Sequence, residues 1–393
     1  MTTLKVGLIG CGAFADAQDM PNFKRNQQVD VKWCCDVSPD RARNLADKFG
    51  IKKITSDFME IINDPEVDLI KISTSHEVHL PIIEAAAAKG KHIFCEKPLA
   101  MNEEDALKII GAVRRNKVKL CVDLNRRMSP SMFRLKQRWL DHCRTPRHQA
   151  WRYVETEREP FPEEKQTQLL IRIQDESSSY RLVHLDPLRG GGQIIGETVH
   201  WLDLACWFFA PDYPVEINAF GSSRFSHAVN MRFSSGNTAS IIFNCGGTFD
   251  YPKELIEVAS NGALFRNLFF VENEYFGVPG LDREIFPLQN DPLPEVGKDG
   301  GFEGYMAKYY HCVRNLKNSK GKFGSLSVDK GHQNMFDGFV RSIIENRPSP
   351  CNEQDGYMAV ALARLAMRSI ELRQSLPVPL EKVVLQHVGV AKN

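Results

Sequence analysis

Along the first third of the chain, short apolar runs alternate with stretches whose apolar residues recur at helical spacing. Leu4 to Ile9, Val29 to Asp36, Leu69 to Ser73, His92 to Cys95 and Lys119 to Asp123 read as strands. Asp40 to Phe49, Leu80 to Lys89 and Asn102 to Asn116 read as helices between them. Pro39 sits where a helix start tolerates proline, and Asn102 with Asp105 supplies an N-cap and an acidic first turn. Strand and helix in alternation predict a doubly wound parallel sheet, and we set this first domain at residues 1–124.

After Asn125 the rhythm changes. Pro130 to Cys143 reads as a helix, Gln149 to Thr156 as a strand, and Glu157 to Ser179 as a polar insertion, either a lid or a contact to another subunit. A glycine run, Gly190 to Gly192, leads into a helix ending near Phe209. Val215 to Gly221, Ala228 to Phe233, Thr238 to Asn244 and Leu255 to Ala259 then alternate like strands joined by turns such as Ser235-Gly236-Asn237, an antiparallel pattern. Two helices, Lys330 to Asn346 and Gln354 to Gln374, close the chain, the first stopped by Arg347-Pro348. Residues 125–393 thus form an α+β domain with a mostly antiparallel sheet.

Charge narrows the partners. Fifty basic residues against 49 acidic ones leave +1, and the densest basic runs, Lys108 to Lys119 and Arg134 to Arg147, read as solvated helix faces. Nucleic acid is therefore not an expected partner. No apolar stretch approaches the roughly 18 residues of a membrane span, and the N-terminus lacks the layout of a signal peptide. The ten cysteines, with no Cys-x-x-Cys pair, read as buried thiols in a reducing compartment, so a cytoplasmic protein is expected.

The first candidate chemistry follows the first strand. Gly10-Cys11-Gly12-Ala13-Phe14-Ala15 fits G-x-G-x-x-G/A. Gly10 makes the tight turn, Gly12 lets backbone approach a pyrophosphate, and Ala15 lets helix pack on strand, while the helix N-terminus offers amides to the anion. Asp36 ends the second strand, where a carboxylate accepts bonds from ribose hydroxyls and repels a 2′-phosphate, so NAD is favoured over NADP; Arg41 and Arg43 could still swing toward a phosphate. These features are those of a Rossmann domain.

At this point the chain resembles the Gfo/Idh/MocA family, nicotinamide-dependent sugar and cyclitol oxidoreductases related to glucose-fructose oxidoreductase and inositol dehydrogenase. Beyond the glycine turn the resemblance rests on Thr74-Ser75-His76-Glu77-Val78-His79, on Cys95-Glu96-Lys97-Pro98-Leu99, on Asn125-Arg126-Arg127-Met128-Ser129-Pro130, and on Gly191-Gly192 leading to His200 and Asp203. It implies that Lys97 lies by the nicotinamide and the reacting hydroxyl, and that His200 transfers protons. It also implies that Gly10, Cys11, Gly12, Ala13, Phe14, Asp36, Ser73, Thr74, His76, His79, Glu96, Lys97, Asn125 and Arg126 hold the cofactor. Family sheets of the second domain pack between subunits, so a homodimer or homotetramer is expected.

Oxidising a secondary alcohol needs a base of suitable pKa and a cation beside the developing alkoxide, and histidine and lysine supply both. Glu197 and Asp203 flank His200 at i, i+3 spacing, where a carboxylate can orient an imidazole. The family's usual pattern puts an aspartate four residues before the histidine; here that position is Gly196, so either Glu197 beside it replaces the carboxylate or Lys97 and His200 act alone. Tyr153, Tyr180, His184, Asp186 and Arg189 are candidates for holding sugar hydroxyls or an anionic substituent. His76-Glu77-Val78-His79 is one residue short of a zinc helix, and no metal is expected. Three activities remain open: an NAD-dependent dehydrogenase of a sugar, glycoside or cyclitol, a glycosidase working through transient oxidation at carbon 3, and a dinucleotide-binding sensor without turnover.

Overall fold

A computed structural model describes residues 3–144, 166–175, 185–186, 189–315 and 326–379. Its first sheet is wholly parallel. Strands β1 (Leu4–Ile9), β2 (Val29–Cys35), β3 (Lys53–Thr55), β4 (Leu69–Ile72), β5 (His92–Cys95) and β6 (Leu120–Val122) lie in the order β3-β2-β1-β4-β5-β6. β4 and β6 are buried at every position, so β6 reads as an apolar run and β4 as one broken only by Lys71. Strand order reverses between β1 and β4, and ligands of such sheets bind in the crevice at that reversal.

Helices α1 (Met20–Arg25), α2 (Pro39–Phe49), α3 (Phe58–Asn63), α4 (His79–Ala88) and α5 (Glu103–Asn116) cover the sheet. Asn102 caps α5 by accepting from the Asp105 N–H at 2.9 Å. The short β3 and α3 were not expected, since β3 is an exposed edge of three residues.

Helix α6 (Pro130–Arg144) leads to a second sheet, and here the expected insertion is corrected. Within Glu157 to Ser179, residues 168–174 are strand β7 (Gln168–Gln174), which sits in the middle of nine strands. Leu169, Ile171 and Ile173 alternate into the core and cannot form a lid. The expected strand Gln149 to Thr156 lies outside the described residues.

The remaining strands are β8 (Pro214–Gly221), β9 (His227–Phe233), β10 (Thr238–Asn244), β11 (Glu254–Ser260), β12 (Ala263–Leu268), β13 (Glu272–Phe276), β14 (Arg283–Ile285) and β15 (Leu376–Pro377). Their order is β14-β13-β12-β11-β7-β10-β9-β8-β15, antiparallel throughout except for the β7–β10 pair. Helix α7 (Val199–Phe209) follows a π-helical turn, Ile194–Thr198, and α8 (Gly301–Asn315), α9 (His332–Ile344) and α10 (Glu353–Leu372) complete the described helices. None of these is long and apolar enough to cross a membrane. Of the cysteines, Cys143 is exposed and Cys312 half-buried, while the other eight are buried as expected.

Two features join the halves. α10 packs against α5, α7 and β8, with Gly356 so close to the first domain that a Cβ there would lie 2.8 Å from Val122 Cγ2. Arg127, just past β6 and 6% exposed, donates from Nε to Asp203 Oδ2 on α7 at 3.0 Å. Its Nη2 reaches Asp203 Oδ1 and, at 3.3 Å, Asp355 Oδ1 on α10, and Nη1 reaches the Pro350 carbonyl at 3.2 Å.

Arg127→Met should therefore destabilise the protein by about 3–5 kcal/mol, because it strands Asp203 and Asp355 without their cation. Gly331 has φ +91° and a Cβ there would lie 2.4 Å from the Ser129 nitrogen, so Gly331→Ala should cost on the order of 2 kcal/mol or more. Urea unfolding of both variants measures these losses.

Candidate active site

The glycine turn has the geometry its sequence implies. Gly10 has φ +99° and a Cβ would lie 2.3 Å from the Ser73 carbonyl oxygen, whereas nothing lies within 4 Å of a Cβ on Gly12. That open space lets a ligand approach the backbone, which fits a dinucleotide pyrophosphate. Ala15 is fully buried against the strand, while Phe14 is 40% exposed and lines the adjoining cavity. Asp36 accepts from the Cys11 N–H and the Ser38 N–H, both at 2.9 Å, so it braces the turn. Each carboxylate oxygen has a second lone pair for a ribose hydroxyl.

Beneath the turn lies a charge layer that the sequence reading missed. Lys71, on β4 and fully buried, reaches Glu96 Oε1 at 2.5 Å and Asp19 Oδ1 at 3.2 Å. Ser73 donates to Asp19 Oδ2 at 2.5 Å, and His332 Nδ1 meets Asp123 Oδ2 at 2.9 Å. Burial would lower the Lys71 pKa, but Asp19 and Glu96 outweigh it and keep the lysine a cation. Burial pushes the Glu96 carboxyl up to about 8, against the pull of Lys71.

A cavity of about 390 Å³ opens beyond this layer, lined on one side by Phe14, Ser73, Thr74, His76, Glu96 and Lys97, and on the other by Arg126, Gly192, Gln193, Gly196, Glu197, His200, Lys330 and His332. Within it Lys97 Nζ donates to the Gly196 carbonyl at 2.5 Å and to Glu197 Oε1 at 2.7 Å. An ammonium has three donors, so one remains for a ligand. Burial would raise the Glu197 pKa, but the Lys97 ammonium and the Arg126 guanidinium hold it down to about 2. The Glu197 side chain is 36% exposed, facing the cavity.

His200 differs from expectation. Neither flanking carboxylate orients it: Glu197 serves Lys97, and Asp203 serves Arg127. Arg126 Nη1 instead lies 2.9 Å from His200 Nε2. A guanidinium only donates, so Nε2 accepts and the neutral ring carries its proton on Nδ1, which is buried without a hydrogen-bond partner. Burial, then the Arg126 and Lys97 cations, depress the His200 pKa far below the usual histidine range.

Other residues are also redistributed. His79 is fully buried and does not line the cavity; its Nδ1 donates to the Pro98 carbonyl at 2.9 Å, which steadies the Glu96-Lys97-Pro98 segment behind the site. Asn125 is likewise buried, donating to the Lys330 carbonyl at 2.8 Å and accepting from Arg126 Nη1 at 2.9 Å. Arg189 is exposed, faces Glu77 at 3.4 Å and is not a lining residue, and the Asp186 carbonyl accepts from the backbone N–H groups of Arg189, Gly190 and Gly191. Tyr153, Tyr180 and His184 lie outside the described residues. Buried Thr74 Oγ1 and Gln193 Nε2 have no protein partner and lie on residues lining the cavity, as a polar ligand requires.

Known proteins share the fold and the sequence pattern of the first domain. Residues 4–124 match the oxidoreductase family with an NAD-binding Rossmann fold, GFO_IDH_MocA. Over nearly the whole chain the sequence is 24% identical to a myo-inositol 2-dehydrogenase of Thermotoga maritima, covering 97% of this chain and 100% of that one. Its first domain, residues 4–124, is thus the NAD-binding Rossmann domain of the Gfo/Idh/MocA oxidoreductases. The sequence is also 26% identical to an inositol 2-dehydrogenase/D-chiro-inositol 3-dehydrogenase of Lactiplantibacillus plantarum, covering 93% of this chain and 91% of that one. A levoglucosan dehydrogenase solved with NADH and levoglucosan shares the fold, with TM-score 0.73 and 19% identity over 96% of this chain and 100% of that one. The protein is thus an NAD-binding oxidoreductase with sugar and cyclitol dehydrogenases as relatives.

A Cβ on Gly196 would lie 4.0 Å from His76 Cε1, so an aspartate at the family position would point toward His76. Glu197, one residue on and within the π-helical turn, reaches Lys97 instead.

Asp36→Asn keeps an acceptor for the turn but removes the charge that repels a 2′-phosphate. The affinity ratio of NADH to NADPH, read by nicotinamide fluorescence, should fall at least about tenfold, roughly 1.4 kcal/mol. Burial holds the His79 pKa down to about 4, so below pH 6.5 the unfolded chain binds a proton that the folded one refuses, and stability falls as pH drops from 6.5 toward 4. The stability gap between wild type and His79→Asn in urea should narrow across that window.

Proposed function

We propose that this protein is an NAD-dependent dehydrogenase that oxidises a secondary hydroxyl of a sugar, glycoside or cyclitol, with Lys97 as the acid and base and Glu197 as the group that positions it. The observation that carries this reading is Lys97 Nζ, tethered to the Gly196 carbonyl and Glu197 on the cavity wall with one donor to spare. Bound NAD supplies the hydride acceptor. Lys97 as a neutral amine takes the hydroxyl proton, and the resulting ammonium is stabilised by Glu197; in the reverse direction the ammonium returns that proton. His200 lines the same cavity without taking part in the proton transfer. Neutral and fixed by Arg126, it adds no charge to compete with the Lys97 amine for the developing alkoxide.

A mass balance tests the reading. With a panel of polyols and glycosides and limiting NAD, NADH should form stoichiometrically and stop when NAD is exhausted. Continued sugar release with little NADH would replace this reading by the redox-assisted glycosidase, and NAD binding with silence in both channels by the sensor.

Lys97→Met should lower kcat by at least about a hundredfold, while the NADH dissociation constant stays within a few-fold. Glu197→Gln replaces the charged acceptor of Lys97 Nζ with a neutral one, so kcat should fall while the NADH dissociation constant stays within a few-fold.

A further inference from the structure

The far wall of the cavity carries more positive charge than its own residues balance. Arg126 and Lys330 both line it, and both turn to the same carboxylate: Glu254 Oε1 lies 2.6 Å from Lys330 Nζ and 3.4 Å from Arg126 Nη2. Glu254 is 1% exposed and sits behind the two cations, not on the cavity surface. The remaining Arg126 contacts are neutral, namely Asn125 Oδ1, His200 Nε2 and the face of Trp201, and its Nε is buried without an acceptor. Lys330 also lies over the rings of Phe269 and Phe270.

Neighbouring charges do not restore the balance. Lys97 and Glu197 neutralise each other, Glu96 is held by Lys71, and Lys253 is paired with Asp175 at 3.0 Å. His332 faces Asp123, and His200 is kept neutral. Two cations against one carboxylate leave one positive charge on a wall with little water to solvate it. Consistent with that excess, burial and the Arg126 charge lower the Lys330 pKa to about 8 despite Glu254. Both cations reach Glu254 on β11, and Arg126 also contacts His200 and Trp201 on α7.

We propose that Arg126 and Lys330 form an anion subsite and that the substrate is a carboxylated sugar, a hexuronate or an aldonate, whose single negative charge cancels the excess on this wall. The inference rests on the reading of the cavity as a sugar dehydrogenase site. A monoanion closes the balance, a phosphate dianion overshoots it, and a neutral polyol leaves it open. A planar carboxylate also suits the fork of a guanidinium.

Calorimetric titration of D-glucuronate, D-galacturonate and D-gluconate into the protein with saturating NADH, beside D-glucose, D-galactose and myo-inositol, tests it without requiring turnover. At least one acid should bind tenfold or more tighter than its neutral counterpart, and added NaCl should shrink that margin. Lys330→Met should abolish the preference, Lys330→Arg should keep it, and NADH affinity by fluorescence should stay within twofold in both. Equal binding of acids and neutral sugars by the wild type overturns the inference, as does tighter binding of glucose 6-phosphate. So does a Lys330→Met variant that keeps the preference or that loses NADH affinity instead. Turnover is followed in parallel: acid binding without NADH formation sustains the subsite and sinks the dehydrogenase reading, whereas oxidation of neutral polyols with no preference for acids does the reverse.

Discussion

Arg127 is the hinge pin of the architecture. One buried guanidinium at the exit of the parallel sheet is shared by Asp203 on α7, Asp355 at the start of α10 and the Pro350 carbonyl. α7 continues from the turn that bears Gly196 and Glu197 and itself carries His200, so its seating on Arg127 decides where those groups stand relative to Lys97. Charges taken out of water are tolerated only when each finds its partner, and that demand makes the docking of the halves specific. The cavity is a consequence: one wall comes from segments leaving the parallel sheet, the other from the π-helical turn, α7 and the start of α9.

The charge layer around Lys71 works under a similar constraint. Asp19, Glu96 and Asp123 converge beneath the glycine turn, and a lone lysine with a histidine at the edge serves them. Lys71 also lies beneath Phe94 and Phe14, whose ring faces add some attraction for a desolvated ammonium. Glu96 and Lys97 are sequence neighbours with opposite assignments, one turned to the buried layer and the other to Glu197. The strand end at Cys95 thus separates a structural ion pair from a chemical one.

Much of this was legible in the chain. Strands buried on both faces show as apolar runs, so five of the six parallel strands could be read directly and the glycine turn with Asp36 by its motif, whereas Lys97 stood out only through the family resemblance and the exposed edge strand β3 gives no such signal. In the second sheet the hairpin of β11 and β12 turns at Asn261-Gly262, a pair suited to the positive φ angles found there, yet the reading stopped short of β12. Lys71 interrupts an otherwise apolar strand, and that break was a usable sign of a buried partner. Glu254, Lys330 and His332 were not legible as site residues, because their role depends on which distant segments the fold brings together. His200 shows the limit most clearly: its spacing to Glu197 and Asp203 suggested a carboxylate partner, but Glu197 is claimed by Lys97 and Asp203 by Arg127.

The position of β7 bears on how the chain acquires its shape. β7 ends at Gln174, and its two neighbours, β10 and β11, begin only at Thr238 and Glu254. During synthesis it must wait with both hydrogen-bonding edges open and with Leu169, Ile171 and Ile173 unsheltered, while the parallel sheet upstream already has all six of its strands. Pairings between distant segments form slowly, because loop closure comes before the contacts that reward it. The second half is therefore the slow step in maturation, and β7 is the segment through which nascent chains would associate with one another or engage a chaperone.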